Sequence, residues 1–522
     1  MGEARTAPGA GRAVSAAGTT TQGWTALALL CAAQFLTVLN FQVATVALPG
    51  IGRDLAFSQQ GLQWVVGAHA LAFGGALLLA GRLADIAGHR RLFMVGIGTF
   101  AGATLACGLA PSGALLLAAR VAQGIGAALF TPAALALLGD TFPKGAARGR
   151  ALGIWGAAGP LGGIAGLLGG GLLAGALGWR WVFFIAVPVA ALTFACTPLA
   201  LRGRRDHPTG ERLDWAGAII GTAGIVAIVY GLNGATAATG APLRVALPLA
   251  CGVALLALFV AIERRVAAPL VPLALLGRRA LLGPNLVGFL HAAVTNTPFF
   301  FFVLYMQQLR GYSPFITGLA FLPCNLALMA GAALGGRGAA RLGARRTMIG
   351  GMILEVASLL LLARIAAEGN YWTTLFPGLI LEGLGLGIVQ VAAVGAVTAG
   401  AAERERGLAA GLFNTAAQIG TAVGLSILVT IATARTASLS GGSASTAAAL
   451  TTGYRWAFLG GGMLAIIGLL VAIFVVREAE PGRREDEPSA SQPADASRAA
   501  PCATRTTLDA QNRSTSARAT RS

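Results

Sequence analysis

The chain has 522 residues, of which 56% are hydrophobic and only 11% are charged, and its formal net charge is +18 at pH 7. This composition is too apolar for a soluble globular protein and indicates a membrane protein. The basic residues stand between apolar runs rather than among clustered aromatics, which argues against a nucleic-acid partner. The six cysteines include no CxxC pair, so the sequence predicts neither a disulfide framework nor a metal site.

The chain begins with small and polar residues over 1–23, which predict a disordered cytoplasmic N-terminus without a signal peptide. Apolar segments follow that are long enough to cross a bilayer as helices, for which about 20 residues are needed. We predict fourteen of them, near residues 24–48, 62–81, 92–110, 113–138, 151–174, 179–201, 215–235, 244–262, 281–306, 315–334, 347–365, 373–397, 408–432 and 455–476. Residues 477–522 are rich in Ala, Ser, Arg, Pro and Asp, which predicts a disordered cytoplasmic tail.

Basic residues concentrate in alternate loops between these helices. The even-numbered loops carry two to four each, for example Arg82, Arg90 and Arg91 in the second loop. The odd-numbered loops carry fewer, namely Arg53, Arg180, Arg244, Arg310, Arg364, Arg435 and Arg455. Loops held in the cytoplasm collect Lys and Arg, so the alternation predicts an even number of spans with both termini cytoplasmic. The expected location is the plasma membrane.

Two stretches of the chain occur twice. GRLADIAGHRR at 81–91 matches GRGAARLGARR at 336–346 in six of eleven positions, and the two copies lie 255 residues apart. GWRWVF at 178–183 is echoed by GYRWAF at 453–458, 275 residues later. Duplicated halves with inserted material between them are typical of transporters.

The repeat predicts the domain organisation of an all-α membrane protein. We expect an N-terminal six-helix bundle over residues 24–201 and a C-terminal six-helix bundle over 281–476. Two inserted helices and their linker loops would occupy residues 202–280. In this arrangement the two bundles enclose a cavity near the middle of the bilayer.

The repeated loop and the fourth helix resemble motifs of the major facilitator superfamily, and within it of the fourteen-helix drug:proton antiporter branch. Four residues occupy the key places of the loop motif between helices two and three, where the resemblance implies a gating role: Gly81, Asp85, Gly88 and Arg90. In the fourth predicted helix, RVAQGIGAA resembles the superfamily motif with an intramembrane arginine, here Arg120.

The fifth predicted helix resembles the motif associated with exporters. Its sequence GAAGPLGGIAG carries the four relevant residues Gly159, Pro160, Gly162 and Gly163, for which tight helix packing is an equally good explanation. The resemblance implies two six-helix halves that rock about a central cavity. It also implies secondary active export of amphipathic drugs or secondary metabolites, by proton antiport and as a monomer.

Asn40 departs from this resemblance. The branch usually has an aspartate nine positions before the proline of the ALP motif, and here that position, nine before Pro49, is Asn40. An amide does not titrate near neutral pH. If the protein is coupled to protons, another group must carry them.

Three charged residues inside predicted helices are candidates for proton or substrate binding, because a charge in the bilayer usually faces a cavity or a partner. They are Arg120, Glu355 and Glu382. QGIG at Gln123 aligns with EGLG at Glu382, which makes Glu382 our predicted proton carrier. Each residue also has a purely structural interpretation. Arg120 would be bonded to carbonyls or to a polar group of helix one, Glu382 would be a neutral buried acid, and Glu355 would face the periphery of its helix.

Histidine titrates near physiological pH, so His69 and His291 are alternative proton carriers, or else hydrogen-bonded packing residues. Asn296, in the polar run before a proline of the ninth predicted helix, is a candidate substrate residue, although a plain kink is the alternative. With the 255-residue offset of the repeated loop, Thr295 is the position in the second half that corresponds to Asn40 in the first.

The aromatic residues of this region offer a further prediction. Phe299 to Phe302, Tyr305 and Trp155 would stack against an apolar or cationic ligand, or face lipid.

Other functions of the same fold remain open at this stage. Uptake or facilitated diffusion of a polar solute is one alternative, and a transport-dead membrane sensor is another. The sequence contains no HExxH, GxSxG or GxxxxGK[ST] motif, which argues against an enzyme, a bound cofactor and ATP as the energy source. The expected partners are a small-molecule substrate, protons and the lipid bilayer.

Overall fold

The structure, a computed structural model, describes residues 10–142, 145–201, 214–234, 242–266, 277–402, 405–440 and 445–476. Within these ranges all regular elements are helical: α1 (Ala10–Asp54), α2 (Gln59–Ala87), α3 (His89–Leu109), α4 (Gly113–Thr141), α5 (Ala146–Ala176), α6 in two segments (Trp181–Phe184 and Ala186–Ala200), α7 (Trp215–Gly234), α8 (Pro242–Glu263), α9 (Arg279–Leu304), α10 (Pro314–Leu342), α11 (Ala344–Leu362), α12 (Phe376–Ala399), α13 (Arg406–Ser440) and α14 (Thr446–Phe474). Five-residue π-helical turns extend α9 (Tyr305–Leu309) and precede α12 (Tyr371–Leu375). The predicted tail over 477–522, residues 1–9 and the side chains of Asp85 and Asn296 lie outside the described residues.

A helix stands at each of the fourteen predicted positions. Eleven spans in the described part are long and apolar enough to cross a membrane; α2, α7 and α11 are not among these eleven. The protein is therefore an all-helical membrane protein in its described part, with eleven candidate spans. Helix α1 begins at Ala10, which differs from the disorder predicted over residues 1–23.

Serine caps begin several helices at one end of the bundle. The side chains of Ser58, Ser112, Ser313 and Ser445 accept hydrogen bonds from backbone N–H groups in the first turns of α2, α4, α10 and α14. Such caps satisfy donors that a helix leaves unpaired at its start. We call this end, which carries the odd-numbered loops, the Arg-poor end, and the opposite end the Arg-rich end.

The helices form two bundles with the same internal packing. In the N-terminal half (α1–α6), α1 packs on α5, and both α2 and α3 pack on α4. In the C-terminal half (α9–α14), α9 packs on α13, and both α10 and α11 pack on α12. The halves meet where α2 packs on α13 and α5 packs on α10, while α7 packs against α2, α13 and α8.

Glycines set the matching helix crossings in both halves. Gly124 on α4 lies against the carbonyl of His69 on α2, and Gly383 on α12 lies against the carbonyl of Cys324 on α10. A Cβ at either glycine would collide with that backbone. His69 and Cys324 are 255 residues apart, which is the offset of the repeated loop, whereas Gly124 and Gly383 are 259 apart, which is the offset of QGIG and EGLG. Small residues of this kind let helix backbones approach closely in membranes.

The two halves touch at the Arg-poor end, where the turn after α9 contacts α1 and where α10 contacts α5. Gln307 Nε2, in the π-helical turn after α9, donates to the Val46 carbonyl of α1 over 3.1 Å. Gly318 of α10 lies against the Leu167 backbone of α5 at the same end. Toward the Arg-rich end, a cavity of about 380 Å³ lies between α2, α7, α8, α9 and α13.

Candidate functional site

Arg120 on α4 is the centre of a buried polar network in the N-terminal half. Its Nε donates to the Val65 carbonyl of α2 over 2.7 Å, and its Nη1 donates to Asn40 Oδ1 of α1 over 2.5 Å. Nη1 also donates to Gln123 Oε1, one turn further along α4, over 2.6 Å. Arg120 is fully buried and joins three helices of this half. The structure thus matches the alternative of an arginine bonded to a carbonyl and to a polar group of helix one.

Thr104 on α3 holds Gln123 in position. Gln123 Nε2 donates to Thr104 Oγ1 over 2.7 Å, and Thr104 Oγ1 donates to the Phe100 carbonyl over 2.6 Å. This fixes the orientation of the Gln123 amide, so that its oxygen faces Arg120. Sequence reasoning missed Thr104, although a threonine in an apolar helix is the available signal.

His69 on α2 lies beside this network. It is 3% exposed, and it lies close enough to Arg120 for their charges to interact. Its Nδ1 has no hydrogen-bond partner, while its ring is tilted against Phe73 with centroids 6.3 Å apart. The structure therefore brings Asn40, Arg120 and His69 together in one half.

Two carboxyl groups and a histidine form the corresponding cluster of the C-terminal half. His291 Nδ1 on α9 lies 2.6 Å from Glu355 Oε1 on α11, and both side chains are buried. The expectation of a peripheral Glu355 is wrong, because this side chain has 0% exposure. Glu355 lies inside the half because α11 turns this face toward α9 and α12, where Gly385 leaves room for it.

Glu382 on α12 lies in the same cluster. It is fully buried and neither carboxyl oxygen has a hydrogen-bond partner in the structure. Glu355 lies near enough to interact electrostatically, and Ser358, also on α11, lies alongside while its hydroxyl donates to the Gly378 carbonyl. Arg120 and Glu382 are thus placed in separate halves, and no described hydrogen bond or ion pair joins them. No group of three or more His, Cys, Asp or Glu that could hold a metal ion occurs among the described residues.

The predicted gating loop has a capping role that the sequence did not reveal. Gly88 joins α2 to α3 with φ 93°, and Gly343 joins α10 to α11 with φ 85°. Arg90 donates to the Pro198 carbonyl at the end of α6, and Arg345 donates to the Ile473 carbonyl at the end of α14. Both arginines therefore satisfy the carboxyl end of a neighbouring helix in their own half.

We assign no capping role to Gly81 or Asp85, the other two residues of the same loop motif. A Cβ at Gly81 would meet no atom within 4 Å, so packing does not require glycine there. Asp85 keeps its predicted gating role as a prediction, since its side chain lies outside the described part of the chain.

The exporter-like motif of α5 is a packing seam. Gly162 lies against the Phe35 backbone of α1, and Gly159 lies near Gln34 of the same helix. Gly163 lies near Asn325 Oδ1 of α10, so the motif also contacts the other half. Pro160 is inside α5, which continues through it.

The aromatic run of α9 is neither lipid-facing nor free to stack on a ligand. Phe299 stacks on Phe321 of α10, with ring centroids 4.8 Å apart and planes 8° from parallel. Phe301 packs against Tyr454 of α14, and both are buried. These rings fill the core of the C-terminal half, which corrects both expectations for Phe299 to Phe302. The other predicted ligand-stacking residues are Tyr305, which is buried and donates to the Ala366 carbonyl, and Trp155, which is half-buried.

Comparisons with known proteins extend this picture. A model of the Major Facilitator Superfamily matches residues 30–425 and 285–510. Puromycin resistance protein pur8 of Streptomyces alboniger is 42% identical over 419 residues, 79% of this chain and 82% of that protein. Cephamycin export protein CmcT of Amycolatopsis lactamdurans is 36% identical over 471 residues, 87% of this chain and 92% of that protein.

A third relative is the tetracenomycin C resistance and export protein of Streptomyces glaucescens, 32% identical over 405 residues, 78% of this chain and 75% of that protein. Among solved structures, an inward-facing, unoccupied bacterial homologue of the human lysosomal transporter Spinster has a TM-score of 0.64. It is 18% identical and covers 88% of this chain and 99% of its own, so it supports the fold alone. Together, the matching family model and these relatives mean that the chain belongs to the Major Facilitator Superfamily, whose members carry small molecules across membranes.

Proposed function

We propose that this protein is a secondary active efflux transporter that exports an amphipathic antibiotic or a related secondary metabolite. Three relatives carry names that refer to resistance to, or export of, puromycin, cephamycin and tetracenomycin C. Identity of 32–42% over three quarters or more of this chain supports the same class of cargo here. The particular compound is left to the experiment below.

Proton antiport is our proposal for the energy source. The observation that supports it is the group of buried acids in the C-terminal half. Glu382 is fully buried without a hydrogen-bond partner, next to the pair of Glu355 and His291. An ionised carboxylate is costly in such surroundings, so a change in wetting changes its protonation. We assign the proton to Glu382, with Glu355 and His291 as the groups that relay it.

Alternating access would move the substrate between the two halves. The halves touch at the Arg-poor end, where Gln307 donates to the Val46 carbonyl. If the Arg-rich end is cytoplasmic, the described conformation is closed to the outside. Asn40, Arg120 and His69 in one half and Asn296 in the other would then line the substrate path.

We further propose fourteen spans in the plasma membrane with both termini cytoplasmic. The bundles over 24–201 and 281–476 would be the moving halves of a monomer, with residues 202–280 contributing the inserted pair of helices. The packing of α7 against both α2 and α13, and of α8 against α7, supports a role in which this pair of helices lies at one seam between the halves.

Transport by the purified protein in proteoliposomes tests this proposal. Puromycin efflux should accelerate when a pH gradient is imposed, and Glu382→Gln should abolish the acceleration while slow transport down the substrate gradient persists. Ser358→Ala is a matched control, since it removes a neighbouring hydroxyl but no titratable group.

Other outcomes separate the alternatives. Transport that ignores the pH gradient in the wild-type protein rules out antiport and leaves facilitated diffusion. Accumulation of a compound by cells that express the protein, in place of its removal, indicates uptake. A protein that transports none of the tested antibiotics, and gives its host no increase in survival on them, contradicts the proposed cargo class.

A further inference from the structure

Arg120 is a buried cation whose protein partners are all neutral. Its three described hydrogen bonds go to the Val65 carbonyl, the Asn40 amide oxygen and the Gln123 amide oxygen, over 2.5–2.7 Å. Each acceptor carries a partial charge, and none carries a full negative charge. The guanidinium has 0% exposure.

A buried charge of this kind normally requires an opposite charge. Desolvation of an ion costs several kcal/mol in proteins, and charges that remain in a membrane interior are generally paired. No described ion pair includes Arg120, and the titratable side chains near it, Cys107 and His69, are not carboxylates. The counter-charge is therefore not supplied by the described part of the protein.

Two hydrogen-bond donors of this network remain without a described partner, one on the guanidinium and one on the neighbouring amide. Arg120 Nη2 and Asn40 Nδ2 are both buried and have no hydrogen-bond partner. Nη2 shares its carbon with Nη1, and Nδ2 shares its carbon with Oδ1. Because Nη1 and Oδ1 are bonded to each other over 2.5 Å, the two spare donors belong to adjacent planar groups. The directly joined side chains of Arg120 and Asn40 thus leave one donor atom each without a partner.

We propose that Arg120 and Asn40 bind a small monovalent anion, either a halide or a carboxylate, through Nη2 and Nδ2. Guanidinium and amide N–H groups are donors without acceptor character at these atoms, and charge-assisted bonds to an anion are stronger than bonds to neutral acceptors. The anion neutralises the charge that the Val65, Asn40 and Gln123 oxygens leave uncompensated. This site does not depend on proton coupling, which we assign to the other half.

Thermal unfolding of the purified full-length protein in different anions tests the site. Sodium chloride, bromide and acetate are titrated against the bulky sulfonate 2-(N-morpholino)ethanesulfonate at constant ionic strength. The wild-type unfolding midpoint should rise by a few degrees and saturate, since a ligand that binds only the folded state stabilises it.

Matched variants separate this effect from general salt effects. Asn40→Asp places a carboxylate beside Arg120 and should abolish the anion response while it raises the midpoint in the sulfonate buffer. Gln34→Glu adds the same charge to α1 at a position that makes no contact with Arg120, and should keep the wild-type response. Arg120→Gln removes the cation and should also abolish the response, so that it replaces Asn40→Asp if that variant fails to fold.

The pattern of anions identifies the source of the ligand. Saturation by chloride or bromide alone indicates a resident halide, and saturation by acetate at lower concentration indicates a carboxylate group on the cargo. The absence of a saturable response in the wild-type protein overturns the proposal. It is also overturned if Asn40→Asp and Arg120→Gln respond to the anions as strongly as the wild-type protein does. If neither variant folds, line broadening of the chloride and acetate NMR signals by the wild-type protein decides the matter, and the absence of both contradicts the site. These readouts measure binding, so a failure of efflux or of proton coupling leaves them unaffected.

Discussion

The two halves of this transporter repeat one set of helix crossings but bury different ionisable groups, a base in one half and acids in the other. In the N-terminal half, α1, α2 and α4 meet at Arg120, which neutral oxygens of Asn40, Gln123 and Val65 surround. In the C-terminal half, α9, α11 and α12 meet at His291, Glu355 and Glu382. A duplicated scaffold can therefore keep its backbone contacts while its interior takes on different chemistry. Side chains that point into a bundle change without disturbing the glycine crossings that hold the helices together.

The largest expected effect comes from breaking the buried pair of the C-terminal half. His291→Leu leaves Glu355 buried and unpaired, which should cost about 3–5 kcal/mol of unfolding free energy. The double variant His291→Leu/Glu355→Met should recover most of that loss, because it removes both members of the buried pair at once. Denaturant titration in micelles measures the change.

Thr295→Val is the control for this pair, since it removes only a hydroxyl that donates to the His291 carbonyl of the same helix. Its cost should be about 1 kcal/mol. If the double variant is as unstable as His291→Leu, the loss of stability does not come from an unpaired Glu355. That result would contradict the proposed pairing of Glu355 with His291.

The glycine crossings should respond equally in both halves. Gly124→Ala and Gly383→Ala each place a methyl group against a backbone carbonyl, and each should cost about 1–3 kcal/mol through overpacking. Gly139→Ala on α4 and Gly395→Ala on α12 are controls on the same helices, where a Cβ meets no atom within 4 Å. The unfolding midpoints of the four variants check this, and a large loss in only one half would show that the repeat is not equivalent in packing.

The smallest expected effect concerns the two capping arginines. Arg90→Ala and Arg345→Ala each remove a donor from the carboxyl end of a helix, α6 or α14, and each should cost about 0.3–1 kcal/mol. Transport should fall no further than this loss of stability explains. If Arg90→Ala stops transport while the unfolding midpoint is unchanged, the residue has the gating role that the loop motif implied.

The sequence located the repeat, but the offset between its copies differs from helix to helix and is 259 for α4 and α12 (383 − 124). Gly88 and Gly343 keep the offset of 255 (343 − 88), and both adopt the positive φ that favours glycine. For α1 and α9 the offset is 254, because Phe35 contacts Gly162 while Phe289 contacts Gly420 (289 − 35). The expected correspondence of Thr295 with Asn40 is therefore wrong by one position, which turns the side chain by about 100° on a helix.

By itself, the amino-acid sequence determined where the described helices lie along the chain, which loops between them are basic and which polar residues they contain. Those features follow from local composition, because an apolar run of sufficient length forms a helix in lipid whatever its neighbours are. Only the tertiary structure decided which polar residues meet. His291 and Glu355 are 64 residues apart and lie on different helices, so their contact depends on how α9 and α11 are rotated against each other. That rotation is set by packing across the whole half, and no local pattern in the chain encodes it.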